Sequence, residues 1–98
     1  MKTTPPSKFP EALRRLRRAR GLSQEDFDAV SGRTYMSALE RGLKDPTMRK
    51  IEQLAAVMNV HPLALLVLAY SDGSGPKVRR LLAQVEQEVL AALAAESE

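Results

Sequence analysis

The sequence contains no cysteine and no tryptophan, and its only histidine is His61. Without cysteine there is no disulfide framework, and a lone histidine without paired ligands argues against a zinc site. His61 also has no carboxylate at catalytic spacing, and the chain has no glycine-rich phosphate loop and no nucleophile–base pair. We therefore expect a protein that is not an enzyme and uses no metal or other cofactor, with His61 as a helix cap.

Long apolar runs are also missing. The longest, Leu63 to Ala69, has seven residues, whereas a helix that crosses a bilayer needs about 20. The first six residues lack the apolar stretch of a signal peptide. We expect no membrane association and a cytoplasmic location. The 98 residues leave room for one compact domain plus one appended element.

The positive charge is concentrated in the first half of the chain. The formal net charge is +3, but residues 1–44 carry ten Lys and Arg against five Asp and Glu, a net of +5. Residues 45–76 and residues 77–98 each have a net charge of −1. The basic first half is therefore the part that we expect to meet a polyanion.

Apolar residues recur at helical spacing along the chain, and strand-like alternation is absent, so the fold is predicted to be all-α. Gly21, Gly42 and Asn59 are suited to end helices, and Ser23 and Thr47 are suited to begin them. Asp26 stands in the capping-box position after Ser23. The predicted helices cover residues 9–20, 24–30, 33–41, 48–58, 62–70 and 77–95. Their predicted core residues are Phe9, Leu13, Leu16, Ala19, Phe27, Met36, Leu39, Met48, Ile51, Leu54, Ala55 and Met58.

Four segments follow from this pattern. Residues 1–8 are predicted to be a flexible arm, residues 9–70 a five-helix domain and residues 71–76 a flexible linker. Residues 77–98 are predicted to contain an amphipathic helix that contributes to a dimer together with the fifth helix. The apolar seam of this C-terminal helix consists of Val78, Leu82, Val85, Val89 and Ala92, widened by Leu81, Leu90 and Leu93.

Three separated segments carry a family resemblance. They are Leu-Arg-Arg-Ala-Arg-Gly-Leu-Ser-Gln-Glu-Asp-Phe at 16–27, Tyr-Met-Ser-Ala-Leu-Glu-Arg-Gly at 35–42 and Asp-Pro-Thr-Met at 45–48. Over about residues 9–69 the chain resembles the Cro/C1-type (Xre) helix-turn-helix regulators. The resemblance implies a lambda-repressor-like five-helix fold in which the second and third helices form the DNA-reading unit, with the third in the major groove.

The chain departs from the family pattern in one place. The spacing from Gln24 to Ser37 is two residues shorter than is usual. Either the turn at Ser31 and Gly32 is contracted or the second helix ends early. In addition, Asp28 occupies a position where a small apolar residue usually lets the two helices approach.

The resemblance, together with the chemistry of the side chains, implies a set of DNA contacts. On the third helix, arginine can bind guanine bidentately and a methyl group can meet thymine; for every residue of the set the alternative is an ordinary solvated side chain. Arg17 and Glu40 are implied to form a structural ion pair between the first and third helices. Arg14, Arg15, Arg18 and Arg20 are expected to be solvated. The predicted base contacts are Arg33, Thr34, Ser37 and Ala38, and the predicted phosphate contacts are Gln24, Arg41, Lys44, Arg49 and Lys50.

The functional prediction is a sequence-specific regulator of transcription that binds double-stranded DNA as a homodimer and acts as a repressor at a palindromic operator. The alternative is a protein-interaction module, such as an antitoxin or adaptor, built on the same scaffold and binding a different protein through its C-terminal helix. The operator sequence, the sign of regulation and the presence of an effector ligand stay open at this point.

Overall fold

The computed structural model describes residues 8–97, which form helices without strands. Residues 1–7 of the predicted arm lie outside the described part, as does Glu98. The remaining arm residue, Lys8, is exposed but is attached to the folded unit, since its backbone N–H donates to the carbonyl oxygen of Ala69 at 2.9 Å. The elements are α1 (Phe9–Ala19), the 3-10 helix η1 (Gln24–Phe27), α2 (Arg33–Glu40), α3 (Met48–Met58), α4 (Pro62–Ser71) and α5 (Gly75–Glu96).

The predicted caps explain most helix boundaries. Thr47 Oγ1 accepts a hydrogen bond from the backbone of Lys50 at 3.1 Å, which begins α3. His61 Nδ1 accepts from the backbone of Leu63 at 3.0 Å, which begins α4. Gly21, Gly42 and Asn59 all adopt positive φ, where the left-handed backbone ends a helix.

The second predicted helix differs most from its expectation. It is a single 3-10 turn, η1, that ends at Phe27 rather than near Val30. The capping interaction is present, because the backbone N–H of Ser23 donates to the Asp26 carboxylate at 2.7 Å. Phe27 is then fully buried, and residues 28–30 form turns before α2 begins. The short spacing found in the sequence therefore reflects an early end of this helix.

The core lies among α1, η1, α2, α3 and α4. α1 packs on α4 and α2, α3 packs on α4, and η1 packs on α2 and α3. Two of the predicted core residues were wrong. Met48 is 64% exposed, because it is the first residue of α3 and precedes the turn that faces the core. Ala19 is likewise exposed at the end of α1. The buried apolar residues are Phe9, Ala12, Leu13, Phe27, Met36, Leu39, Ile51, Leu54, Ala55, Met58, Leu65 and Ala69.

The predicted linker at 71–76 is shorter than expected. Ser71 is buried at the end of α4, and α5 begins at Gly75, so only three residues separate the two helices. Among these three, Asp72 adopts φ +62° and its carboxylate binds Lys8 Nζ at 2.6 Å and Lys77 Nζ at 3.3 Å. The hydrogen bonds from Lys8 and Lys77 hold the pKa of Asp72 below its usual range.

α5 packs against α4 through its first turns and then leaves the core. Its half-buried residues are Val78 and Leu81, and no described residue of α5 is fully buried. The radius of gyration is 15.2 Å, whereas a compact domain of this length has about 13 Å. The molecule measures 48 × 26 × 26 Å, so α5 gives it an elongated shape.

No single helix in residues 8–97 has the length and hydropathy to cross a membrane; α3 and α4 reach these values only when taken together, across a bend of 105°.

Candidate nucleic-acid interface

The reading helix predicted from the sequence is α2, and its two faces differ in burial. Met36 and Leu39 are fully buried in the core. On the outer side Thr34 is exposed, whereas Ser37 and Ala38 are half-buried by neighbouring residues. Small side chains on an exposed helix face leave room for the edges of bases in a major groove.

A buried carboxylate fixes the orientation of α2. Glu40, 3% exposed, accepts from Arg17 on α1 through two hydrogen bonds, Nε to Oε2 at 2.6 Å and Nη2 to Oε1 at 2.9 Å. Arg14 Nη2 also donates to the backbone oxygen of Glu40 at 2.7 Å. A bidentate arginine–carboxylate pair holds both position and angle, so α1 sets the direction in which α2 presents its outer face.

The charge state of this cluster follows from its geometry. Burial alone would raise the pKa of the Glu40 carboxyl, but hydrogen bonds from Arg17 and Gln24 and the charges of Arg17 and Arg14 outweigh it. The pKa of Glu40 therefore lies below its usual range. The hydrogen bond to Glu40 raises the pKa of Arg17. Both groups are ionised at neutral pH.

Gln24, a predicted phosphate contact, is tied into the same cluster. Its amide Nε2 donates to Glu40 Oε1 at 3.2 Å, and the residue is half-buried. A glutamine amide has two N–H donors. One donor is engaged by Glu40, which leaves the second for a phosphate.

Arg33, the predicted guanine contact, begins α2 and is exposed. Its Nη2 lies 2.9 Å from Glu25 Oε1 on η1, and the two side chains are 61% and 67% exposed. An exposed pair of this kind contributes little stability, typically about 0–1 kcal/mol. From the sequence, Glu25 was predicted only as an acidic residue at the start of a helix. Its contact with Arg33 depends on how η1 and α2 meet.

Lys50 is placed differently from the other cations of the predicted set. It is half-buried, and its Nζ donates to the backbone oxygen of Val30 and lies 5.5 Å from the ring centroid of Tyr35. These contacts link α3 to the turn after η1 and to α2. By contrast Arg41, Lys44 and Arg49 are exposed.

Two arginines of α1 have structural contacts that the sequence did not predict. Arg14 binds Glu40, as described above, and Arg20 Nε donates to the carbonyl oxygen of Met58 at 2.9 Å. The expectation of a solvated side chain was therefore wrong for Arg14, which is half-buried, whereas Arg20 is exposed as expected and makes this one additional contact. Both bind backbone oxygens far away along the chain, and such acceptors have no signature in a sequence. Arg15 and Arg18 are exposed, as expected.

The comparisons with known proteins agree with this geometry. The sequence model of the helix-turn-helix family matches residues 13–65, which run from α1 into α4. This chain belongs to the Cro/C1-type helix-turn-helix family. It is 43% identical over 54 residues to the uncharacterized HTH-type transcriptional regulator y4dJ of Sinorhizobium fredii (strain NBRC 101917 / NGR234), a match that covers 53% of this chain and 70% of the relative. No solved structure matches the chain.

The family match confirms the predicted fold class, an all-α lambda-repressor-like domain with an additional C-terminal helix. In this helix-turn-helix chain η1 and α2 are the two elements of the motif. The matched region ends before α5.

Proposed function

We propose that this protein is a sequence-specific DNA-binding regulator of transcription, acting as a homodimeric repressor that occludes a promoter. The observation that carries the proposal is the fixed presentation of α2. Its buried side is locked by Arg17 and Glu40, while its outer side offers Thr34 and Arg33 to solvent. A reading helix needs this combination of a rigid base and a free outer face.

The exposed cations support binding along the DNA backbone. Arg41 follows α2, Lys44 lies in the next loop, and Arg49 is in the first turn of α3. Contacts from such residues to phosphates position the protein without reading sequence. A homodimer on a palindrome doubles the few base pairs that one α2 can read, with half-sites about one helical turn apart.

One observation favours a second candidate, a protein-interaction module such as an antitoxin or adaptor. Gln24 and Arg33, which would contact DNA, both bind carboxylates of this chain, Glu40 and Glu25. If those contacts persist, the motif is a scaffold and a partner protein binds elsewhere. The first candidate predicts retarded DNA in heparin-resistant complexes, whereas the second predicts a co-purifying protein and no retardation.

Selection of bound duplexes from a random library tests the proposal and reports the half-site spacing. On the selected duplex, log affinity should fall with log salt at a slope of about −0.9 for each neutralised phosphate. Several phosphate contacts per subunit predict a steep slope. Tight binding with a slope near zero would contradict the phosphate contacts.

The assignment of α2 residues is tested by comparing two arginines. Arg33→Ala should reduce affinity for the selected operator by about 1–3 kcal/mol and relax the preference at one base pair in each half-site. Arg41→Ala should weaken binding to the operator and to a scrambled duplex alike, because phosphates are the same at every sequence. Both variants are titrated on both duplexes at one salt concentration. An equal loss on both duplexes for Arg33→Ala would make Arg33 a phosphate contact.

A further inference from the structure

The outer part of α5 carries an apolar face that nothing in residues 8–97 covers. Leu82, Val85, Val89, Leu90 and Leu93 are between 44% and 57% exposed. Leu82, Val85 and Val89 are three and four residues apart, so they form one stripe along the helix. A stripe of this kind on a projecting helix needs a partner that covers it.

The charges beside this stripe have an unusual arrangement. At 3.6 residues per turn, Arg79 and Glu86 lie on one edge of the stripe, and Lys77 and Glu88 lie on the other edge. On each edge the basic residue comes early in α5 and the acidic residue comes two to three turns later. α5 has no pair of opposite charges three or four residues apart, so these side chains do not neutralise each other within one helix.

The charges distinguish the two ways in which a second copy of α5 could lie along the stripe. In an antiparallel pair each edge meets the same edge of the other helix, and in a parallel pair it meets the opposite edge. With Leu82 beside Val85 of the second copy, the antiparallel pair sets Arg79 beside Glu86, and Glu88 beside Lys77, on both sides of the twofold axis. The parallel pair sets Glu86 beside Glu88 and Arg79 beside Lys77, which are like charges.

We propose that α5 pairs with α5 of a second copy in antiparallel orientation, about a twofold axis near Ala83. This inference rests on the homodimer of the proposed function and specifies its interface. Of the two basic residues, Arg79 provides the clearer test of the interface. Lys77 also binds Asp72 within its own chain, whereas Arg79 has no salt bridge among residues 8–97. In this arrangement the C-terminal half of the second α5 runs beside the first turns of α5. Because Val78 and Leu81 in those turns pack toward α4, the second copy of α5 lies alongside α4 as well.

Charge reversal tests the orientation, with dimer dissociation measured by sedimentation in the absence of DNA. Arg79→Glu and Glu86→Arg should each raise the dissociation constant about tenfold, since each changes two symmetric contacts from attraction to repulsion. The double variant Arg79→Glu/Glu86→Arg should restore it, which also shows that the single variants fold. Arg80→Glu is the matched control: Arg80 lies on the face away from the stripe and should leave the dimer unchanged.

A parallel pair predicts the opposite sign, because either reversal would then create an attraction and tighten the dimer. Distance gives a second measurement. As the chain has no cysteine, Ala94→Cys provides a single site for a spin label on the outer face of α5. Two labels should lie about 35 Å apart in the antiparallel dimer and about 20 Å apart in a parallel one.

The shorter distance, tighter dimers after charge reversal, or a wild-type chain that sediments as a monomer would each overturn the inference. Failure of DNA binding is measured separately by duplex selection. If that selection fails while the charge effects hold, the regulatory function is lost and the pairing stands. If the selection succeeds and the charge effects are absent, only the antiparallel pairing is lost.

Discussion

At the scale of single residues, Glu40 joins three parts of the structure. It accepts hydrogen bonds from α1 through Arg17 and from η1 through Gln24, and it belongs to α2. The buried carboxylate compensates the arginine charge, and the arginine compensates the carboxylate. Removing one partner of such a pair leaves the other charged and buried, which costs more than the pair itself contributes.

Glu40→Gln should therefore lower the free energy of unfolding by about 3–5 kcal/mol, measured by urea denaturation at pH 7. Because the pKa of Glu40 is lower in the folded protein than in the unfolded chain, its contribution is complete above the unfolded value of about 4.5 and is lost as the pH falls through the folded value. The wild-type protein should lose this part of its stability in acid, and Glu40→Gln should not. Glu52→Gln, at an exposed position on α3, is the control and should behave as wild type.

At the scale of elements, the turn that connects η1 to α2 contains an uncompensated polar group. Ser31 is 7% exposed, and no residue in the described part of the chain gives its Oγ a hydrogen-bond partner. Burying a hydroxyl without a partner costs about 1–3 kcal/mol. The shortened motif therefore carries a local cost at the point where the usual longer turn is absent.

Ser31→Ala should leave stability unchanged or increase it by up to about 1 kcal/mol, since the loss of the hydroxyl removes a desolvation cost. Thr47→Ala is the control, and its change in stability should have the opposite sign. It removes the oxygen that caps α3 and should cost about 0.5–2 kcal/mol. Urea midpoints of the two variants provide the measurement, and a clear destabilisation by Ser31→Ala would mean that its hydroxyl has a partner after all.

The elements also show how far the sequence predicts the fold. α1, α3 and α4 were predictable because their boundaries are set by local chemistry, such as Thr47, His61 and Gly21. The length of η1 was not predictable from the sequence. The cap at Ser23 and the acidic first turn can begin a 3-10 turn as well as an α-helix.

In the candidate site, too, some features were predictable from the sequence and others were not. The pairing of Arg17 with Glu40 was implied by the family resemblance, and α2 was predicted as the outward-facing helix from Met36 and Leu39. The contacts of Arg20, Lys50 and Arg33 were not predictable. Two of their acceptors are backbone oxygens, and the third is Glu25, whose distance from Arg33 depends on how η1 ends. The DNA contacts themselves remain predictions.

At the scale of the whole molecule, α5 contributes little to the core from which it projects. None of its described residues is fully buried. Deleting residues 73–98 should therefore preserve the helical folding transition of the core while lowering the mass in light scattering from dimer to monomer. Operator binding should weaken as well, because two linked half-site contacts become independent.

The 98-residue chain is the reference for both measurements. A truncated protein that remains a dimer would show that α4 alone provides the interface.

The two ends of the core meet at one point. Lys8 binds Ala69 through its backbone and Asp72 through its side chain, so the chain enters and leaves the unit of α1, η1, α2, α3 and α4 side by side. Proteins with adjacent ends tolerate circular permutation and insertion into other chains. We therefore expect the unit that runs from α1 to α4 to tolerate new chain ends in the exposed loop around Lys44, or insertion within another protein, without a change in how α1 holds α2.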